Sequence, residues 1–295
     1  VRLTGVTTYI VDTDPSKARD LAQRLGAAAI SIDEAHGVAD AAVVCVPTDF
    51  HATVARSFLE RGKPVLIEKP LCRTVAEADS LELWANLIAV GQVVRFFSDH
   101  NQVHEAVARG DVGKPAAARL RRSGGKPRNW SGWFSDFDRS GGTLLDLAIH
   151  DFDWLRWTIG DVESVFACSA QGSDRSIDGD FALATLMMKS GAVCHVETSW
   201  MDTSFRTSIE VSGPKGCIEV DSRVNPTVRI EVPGAAQGFS PMSANDDPYA
   251  RQLREFVKFA CGQASQIATY HDGREALRIS LAAVESALSG QTIHL

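Results

Sequence analysis

The chain has 295 residues, 44% hydrophobic and 23% charged, an ordinary globular composition that excludes disordered, collagen-like and low-complexity classes. At ~150 residues per domain, this length corresponds to about two domains. A formal net charge of −7 argues against a nucleic-acid or polybasic membrane partner, and no apolar run approaches the ~20 residues needed to cross a bilayer.

Val1–Asp12 reads as a strand that leads at once into a helix, with no Met and no charged leader. Up to residue 97, strand patterns at Leu3–Val11, Ala41–Val46, Val65–Ile67 and Gln92–Phe96 alternate with helical patterns at Ser16–Leu25, Phe50–Arg61 and Val75–Val90. The last of these puts Leu81, Trp84, Leu87 and Ile88 on one stripe. Runs such as Ala41–Val46 are apolar on both faces, as parallel strands covered from both sides are. The repetition predicts a doubly wound parallel α/β sheet over residues 1–97.

From residue 98 the pattern changes. A helix at Gln102–Arg109 and a strand near Ala116–Arg122 precede a loop rich in Trp, Gly and Arg, and a helix is expected over Thr143–Thr158. Six β-like runs follow, near 163–170, 180–188, 192–199, 205–212, 216–221 and 227–232, some joined by short Gly-containing turns that predict antiparallel hairpins. Helices at Pro248–Cys261 and Gly273–Leu288 close this α+β domain, residues 98–295. Phe181–Met188 is apolar on both faces. Helices cover one face, so the other predicts a homodimer or homotetramer formed through this sheet. The six cysteines stand too far apart for a CxxC pair or a zinc knuckle, and scattered thiols predict a reducing, cytoplasmic compartment.

Several residues are placed where chemistry happens. Asp14 before Pro15 is explained as a helix cap. Asp12 has no such role: at the carboxyl end of the first strand it either forms a turn or accepts from the adenosine ribose hydroxyls, which would favour NAD over NADP. Glu68-Lys69-Pro70 follows a buried strand directly, where Lys69 either polarises a substrate oxygen or is a solvated loop residue. Pro47-Thr48-Asp49-Phe50-His51 stands after the preceding strand, with Asp49 a plausible cap for the next helix. Asp146 and His150 share a helix face at i, i+4, as an oriented general base would or as a seam pair satisfying itself would. His100 and His104 share the same spacing without a third ligand, so no metal site is expected. The run Arg119, Arg121, Arg122, Lys126 and Arg128 is either an anion-recognising surface or a solvated strand and loop.

Taken in order, Asp12-Thr-Asp-Pro15, Pro47-Thr-Asp-Phe-His51, Glu68-Lys-Pro70, Gly91 with Arg95-Phe96, and Ser140-Gly-Gly with Asp146 and His150 make the chain resemble the Gfo/Idh/MocA family of NAD(P)-dependent oxidoreductases. The resemblance implies hydride transfer between the cofactor, NAD more than NADP, and a secondary alcohol or carbonyl of a sugar, polyol or related ring. By that likeness His150 takes the hydroxyl proton, Asp146 orients His150, and Lys69 holds the reacting oxygen. Asp12, Pro47, Thr48, His51, Glu68, Lys69 and Pro70 border the dinucleotide, and Arg95, Trp130 and Trp133 line the substrate pocket. The family opens with a strand, a GxGxxG turn and a helix, whereas Gly5 is the one glycine in the first 25 residues here. The expectation is therefore a truncated reading frame, a dinucleotide sheet lacking its central strand, and a chain whose own catalytic competence is open. An NAD-dependent glycosidase and a non-catalytic sensor or scaffold of the same fold are the alternatives.

Overall fold

Asp14 and Pro15 start the first helix as their chemistry requires. The Asp14 carboxylate accepts from the Ser16 backbone N–H at 2.9 Å, and Pro15, which has no N–H to lose, takes the first helical position. The structure, a computed structural model, describes residue 3 and residues 5–125, 136–170, 181–224, 227–232, 235–239 and 247–295.

The first part runs β1 (Tyr9–Ile10), α1 (Pro15–Leu25), β2 (Ala28–Ala29), α2 (Ile32–Val38), β3 (Ala42–Val44), α3 (His51–Leu59), β4 (Val65–Glu68), α4 (Val75–Asp79), β5 (Ile88–Gly91) and α5 (Ser98–Arg109). Strands β3, β4 and β5 are parallel and in register, with Val43 opposite Leu66 and Ile67 opposite Val90. Among the described residues β1 and β2 form a separate parallel pair. The doubly wound grammar is as expected, but boundaries are corrected, and of Leu3–Val11 only Tyr9–Ile10 is strand among the described residues. Val75–Val90 is not one helix: α4 gives way to a 3-10 stretch, Glu82–Leu87, interrupted at Trp84, and then to β5. Ile88 and Val90 are fully buried there beside Val65 and Ile67, and burial of β-branched side chains in a sheet outweighs the helical stripe. Gln92–Phe96, expected as a strand, is a 3-10 turn over Val93–Phe96 by which the chain leaves the sheet for α5.

The second part contains β6 (Ala117–Gly125), α6 (Phe137–Ser140), α7 (Gly142–Asp146), α8 (Ile149–Ile159), β7 (Val162–Ala170), β8 (Phe181–Met188), β9 (Val193–Ser199), β10 (Met201–Gly213), β11 (Gly216–Asp221), β12 (Val228–Val232) and β13 (Ala235–Phe239). It ends with α9 (Pro248–Ala260), β14 (Ala268–Thr269), α10 (Tyr270–Ser289) and β15 (Ile293–His294). All six expected β runs are strands. Among the described residues they lie in one sheet of order β13-β12-β11-β10-β6-β9-β8-β7-β15, antiparallel throughout except for β6 beside β9. Strand β14 returns to the first sheet, antiparallel to β5.

The chain between Gly141 and Ile159 wedges between two cores. Leu144, Ala148 and Phe152 join the large core under the second sheet, whereas Leu145 and Ile149 join the core of the first. Both neighbours claim side chains here, and the expected single helix is two, broken at Leu147–Ala148. Gly141 opens the wedge at φ 72°, where a Cβ would stand 2.4 Å from the Leu145 side chain. On β8, Ala182, Ala184, Leu186 and Met188 are buried against the helices, while the opposite face exposes Leu183 (38%), Met187 (40%) and Phe166 of β7 (44%).

Candidate active site

The carboxyl ends of β3, β4 and β5 lie side by side, at the edge where doubly wound sheets form their ligand crevice. Glu68 ends β4 opposite Gly91 of β5, and its carboxylate fills the space a side chain at 91 would take: a Cβ there would lie 2.9 Å from Oε2. The Lys69 backbone N–H donates to the same oxygen at 3.2 Å. Burial pushes the Glu68 carboxyl above its ordinary range, against the pull of Lys69. The Lys69–Pro70 peptide is cis.

Lys69 crosses the seam between the two sheets. Its ammonium donates to Asp146 Oδ1 at 2.8 Å and to the Asp146 carbonyl at 2.6 Å. One of its three N–H donors therefore remains for another acceptor. Asp146 thus holds Lys69, not His150. The i, i+4 pairing fails because α7 ends at Asp146 and α8 begins at Ile149, so the two side chains do not share a continuous helix face.

His150 lies in the first turn of α8, with Nδ1 buried and without a hydrogen-bond partner among the described residues. Burial, followed by the positive charges of Lys69 and Arg122, holds its imidazole well below the ordinary histidine range. The ring is neutral at neutral pH and free to accept a proton.

Other expected site residues have different work. His51 is buried, with Nδ1 2.8 Å from the Pro70 carbonyl and Nε2 2.9 Å from the Val46 carbonyl. It ties the end of β3 to the turn after β4 and does not present its ring to the crevice. Arg95 does not line a pocket either: it is buried, with Nε 2.8 Å and Nη2 2.7 Å from the two oxygens of Asp153. Asp49 caps nothing; it pairs with Arg139 at 2.9 Å, tying α6 to the first domain. Thr48 is buried, Pro47 precedes it at the start of the turn into α3, and Asp12 accepts from the Asp14 backbone at 2.8 Å through Oδ1. Trp130, Trp133, Lys126 and Arg128 lie outside the described residues.

The remaining arginines of the basic run do not form an anion surface. Arg119 pairs with Glu210, Arg121 with Glu197 and Asp202, and Arg122 with Asp151. His104 stacks on Trp157 and His100 faces Arg122, and no cluster with metal-ligand geometry occurs among the described residues.

Two polar groups at the site carried no sequence signal. Gln92, at the carboxyl end of β5, is 1% exposed with neither end of its carboxamide partnered among the described residues. Tyr249 opens α9 near enough to Glu68 that, after burial, the carboxylate raises its phenol. Tyr249 and Phe256 are one helical stripe, and Phe256 packs on Leu66 and Ala89, on the side of the first sheet to which Glu68 and Gly91 also point.

Two family descriptions match successive parts of the chain: an oxidoreductase family NAD-binding Rossmann fold over residues 4–109, and a GFO/IDH/MocA C-terminal domain over residues 100–219. A myo-inositol 2-dehydrogenase of Thermotoga maritima is 28% identical across 97% of this chain and 90% of its own. A 1,5-anhydro-D-fructose reductase of Ensifer adhaerens is 27% identical across 92% and 85%. The crystal structure of GenD2 from gentamicin A biosynthesis, in complex with NAD, superimposes with a TM-score of 0.85 at 26% identity, covering 98% of this chain and 89% of GenD2. With the crevice, the Lys69–Asp146 bridge and His150 in place, these matches show that the chain belongs to the Gfo/Idh/MocA family and is an NAD(P)-dependent dehydrogenase or reductase.

Proposed function

We propose that this protein interconverts a secondary alcohol and a carbonyl on a sugar, polyol or related ring, with NAD rather than NADP. The observation that carries the reading is the Lys69 ammonium, fixed across the seam by Asp146 with one donor to spare, next to a neutral His150. The names of the relatives, an inositol dehydrogenase and an anhydrofructose reductase, support the ring-polyol class.

The residues present fit the two ends of a dinucleotide. Asp12 keeps one carboxylate oxygen for ribose hydroxyls, and Glu68, at the carboxyl end of β4 over Gly91, suits the nicotinamide end. Pro47, Thr48 and Pro70 would shape the wall between them. When bound, the nicotinamide supplies a hydride acceptor or donor. In the oxidative direction His150 takes the hydroxyl proton, and Lys69 donates to the oxygen as negative charge grows on it. Asp146 keeps Lys69 aimed. The face of Phe166, Leu183 and Met187 is assigned to contact with a second copy, and the six free thiols suit a reducing cytosol.

The test is a fluorescence titration with NADH and NADPH, then incubation of the purified chain with NAD and carbon-deuterated inositols or anhydrosugars. Deuterium transferred to the cofactor with net NADH formation is the expected result. NADH binding without any transfer, over a panel of ring polyols, would overturn the catalytic reading.

A further inference from the structure

Around the start of α8 lies a row of buried charged groups that bond to one another. Arg122, on β6 and 2% exposed, donates from Nε to Asp151 Oδ2 at 2.9 Å and from Nη2 to Asp151 Oδ1 at 2.8 Å. The same Nη2 stands 3.3 Å from Nε2 of His100, whose Nδ1 is 2.7 Å from Asp99. A guanidinium has donors only, so His100 Nε2 accepts and its hydrogen sits on Nδ1, donated to Asp99. The direction of every bond in the row is thereby set. Trp154, three residues after Asp151 on α8, adds a second tie by donating to the His100 carbonyl at 3.1 Å.

Burying such a row is costly: each ion gives up several kcal/mol of hydration, and apolar side chains of similar size often serve stability as well or better. Its position suggests what else it does. Asp151 directly follows His150, so Arg122 of β6, itself in contact with His100 of α5, fixes the rotation of α8 at His150. The same contact keeps a guanidinium charge near the imidazole.

We propose that Arg122 is a positioning residue for His150: clasped to Asp151 and His100, it orients the helix that carries the imidazole and keeps a positive charge on that side of it. The inference rests on His150 being the proton acceptor. The charged groups around the ring are few. Lys69 faces it from the turn after β4 and is paired with Asp146 of α7. Arg122 faces it from β6, and His100 and Asp99 from α5. Asp151 is on its own helix, its carboxylate spent on Arg122. On the far side of α8, Arg95, Asp153, Arg156 and Asp272 close on one another. Burial, then Lys69 and Arg122, disfavours the imidazolium.

The experiment is a histidine-selective NMR titration of the whole chain, with His150→Gln assigning the resonance. Replacing the pair together, Arg122→Met with Asp151→Leu, leaves neither partner buried without the other and should let His150 bind its proton about tenfold more tightly, because Arg122 and not Asp151 is among the charges that disfavour the imidazolium. Asp151→Asn alone keeps the guanidinium and should leave proton binding at His150 unchanged or weaker. Arg122→Lys should titrate nearer the parent than the double variant does. Loosened packing would instead move all three variants the same way. That result, an unmoved His150 in the double variant, or a tighter-binding His150 in Asp151→Asn would overturn the proposal. If the double variant does not fold, Asp151→Asn still decides by its sign. Full turnover by His150→Ala would refute the base assignment itself, and the titrations would stand apart from it.

Discussion

Lys69 and Asp146, 77 residues apart, meet at 2.8 Å across the seam between the two sheets, and Asp146 offers its backbone carbonyl to the same ammonium. The carbonyl contact survives any side-chain change, so the two partners are not equivalent. Lys69→Met removes the donor to the reacting oxygen and should lower kcat by about 10²–10³. Asp146→Asn keeps a carbonyl and an amide oxygen near Lys69 and should cost only about tenfold to 10². Steady-state rates with NADH affinity measured in parallel check both. Equal losses, or losses confined to cofactor affinity, would remove Lys69 from the chemistry.

His150 ties stability to pH with a definite sign. Its folded pKa lies below the ordinary 6.5, so the unfolded chain binds this proton more readily than the folded one. The contribution is complete above pH about 6.5 and is lost as pH falls from there through the folded value. The buried His51 and half-buried His104 are lowered by burial and act in the same direction. Urea unfolding between pH 8 and pH 5 should therefore show stability falling as the solution acidifies, less steeply in His150→Gln. Because the variant also removes a buried, partnerless Nδ1, its stability at pH 8 should match or exceed the parent's while turnover drops by about 10²–10⁴. Low stability at both pH values would mark His150 as structural.

What the sequence made legible follows from range. The strands of the second sheet are read by alternation, and Glu68-Lys69-Pro70 by its place directly after a buried run. Both signals sit within a few residues. The partner of Lys69 does not: nothing near position 69 points to Asp146, and the i, i+4 spacing points Asp146 to His150 instead. That spacing misleads because Leu144 and Leu145 are claimed by different cores, which breaks the helix at Leu147–Ala148. Arg122 and Arg95 are visible as charges, and both are spent in buried pairs with aspartates of α8. Gly91 is a family landmark in the sequence, but its physical reason, the Glu68 carboxylate lying over it, is a cross-strand relation.

Asp12 tests the cofactor preference. Its Oδ1 is held by the Asp14 backbone, and on the proposed reading the other oxygen would meet a ribose hydroxyl and repel a 2′-phosphate. Asp12→Ser removes the repulsion and the better acceptor together. The ratio of NADPH to NADH dissociation constants should shift toward NADPH by about tenfold or more, read by fluorescence titration. An unchanged ratio would return Asp12 to a turn residue.

Gly91→Ala places a methyl 2.9 Å from Glu68 Oε2 in a strand buried on both sides. Overpacking of this kind costs about 1–3 kcal/mol, and the mobile partner is the carboxylate, which must move out into the crevice. The expected result is a lower thermal midpoint together with weaker NADH binding. Gly91→Ala combined with Glu68→Ala should recover the midpoint, since the clash is gone, but not the binding. Recovery of both would show that Glu68 does not face the cofactor.

The open face of the second sheet makes a prediction independent of the chemistry. Phe166, Leu183 and Met187 stand on β7 and β8, toward the β15 end of a sheet whose other face is buried at these strands, and Thr185 and His195 beside them already satisfy each other at 3.0 Å. A face of this kind loses apolar surface to water unless a second copy covers it, and a face-to-face two-fold pairing would set Leu183 near the centre. Leu183→Glu puts a charge there, facing Glu197 on the neighbouring strand β9 with which it is in register. In sedimentation velocity the parent should run as a dimer or tetramer and Leu183→Glu as a smaller species, with its helix and sheet content unchanged. A parent that sediments as a monomer at micromolar concentration would leave this face without its partner and remove the assignment.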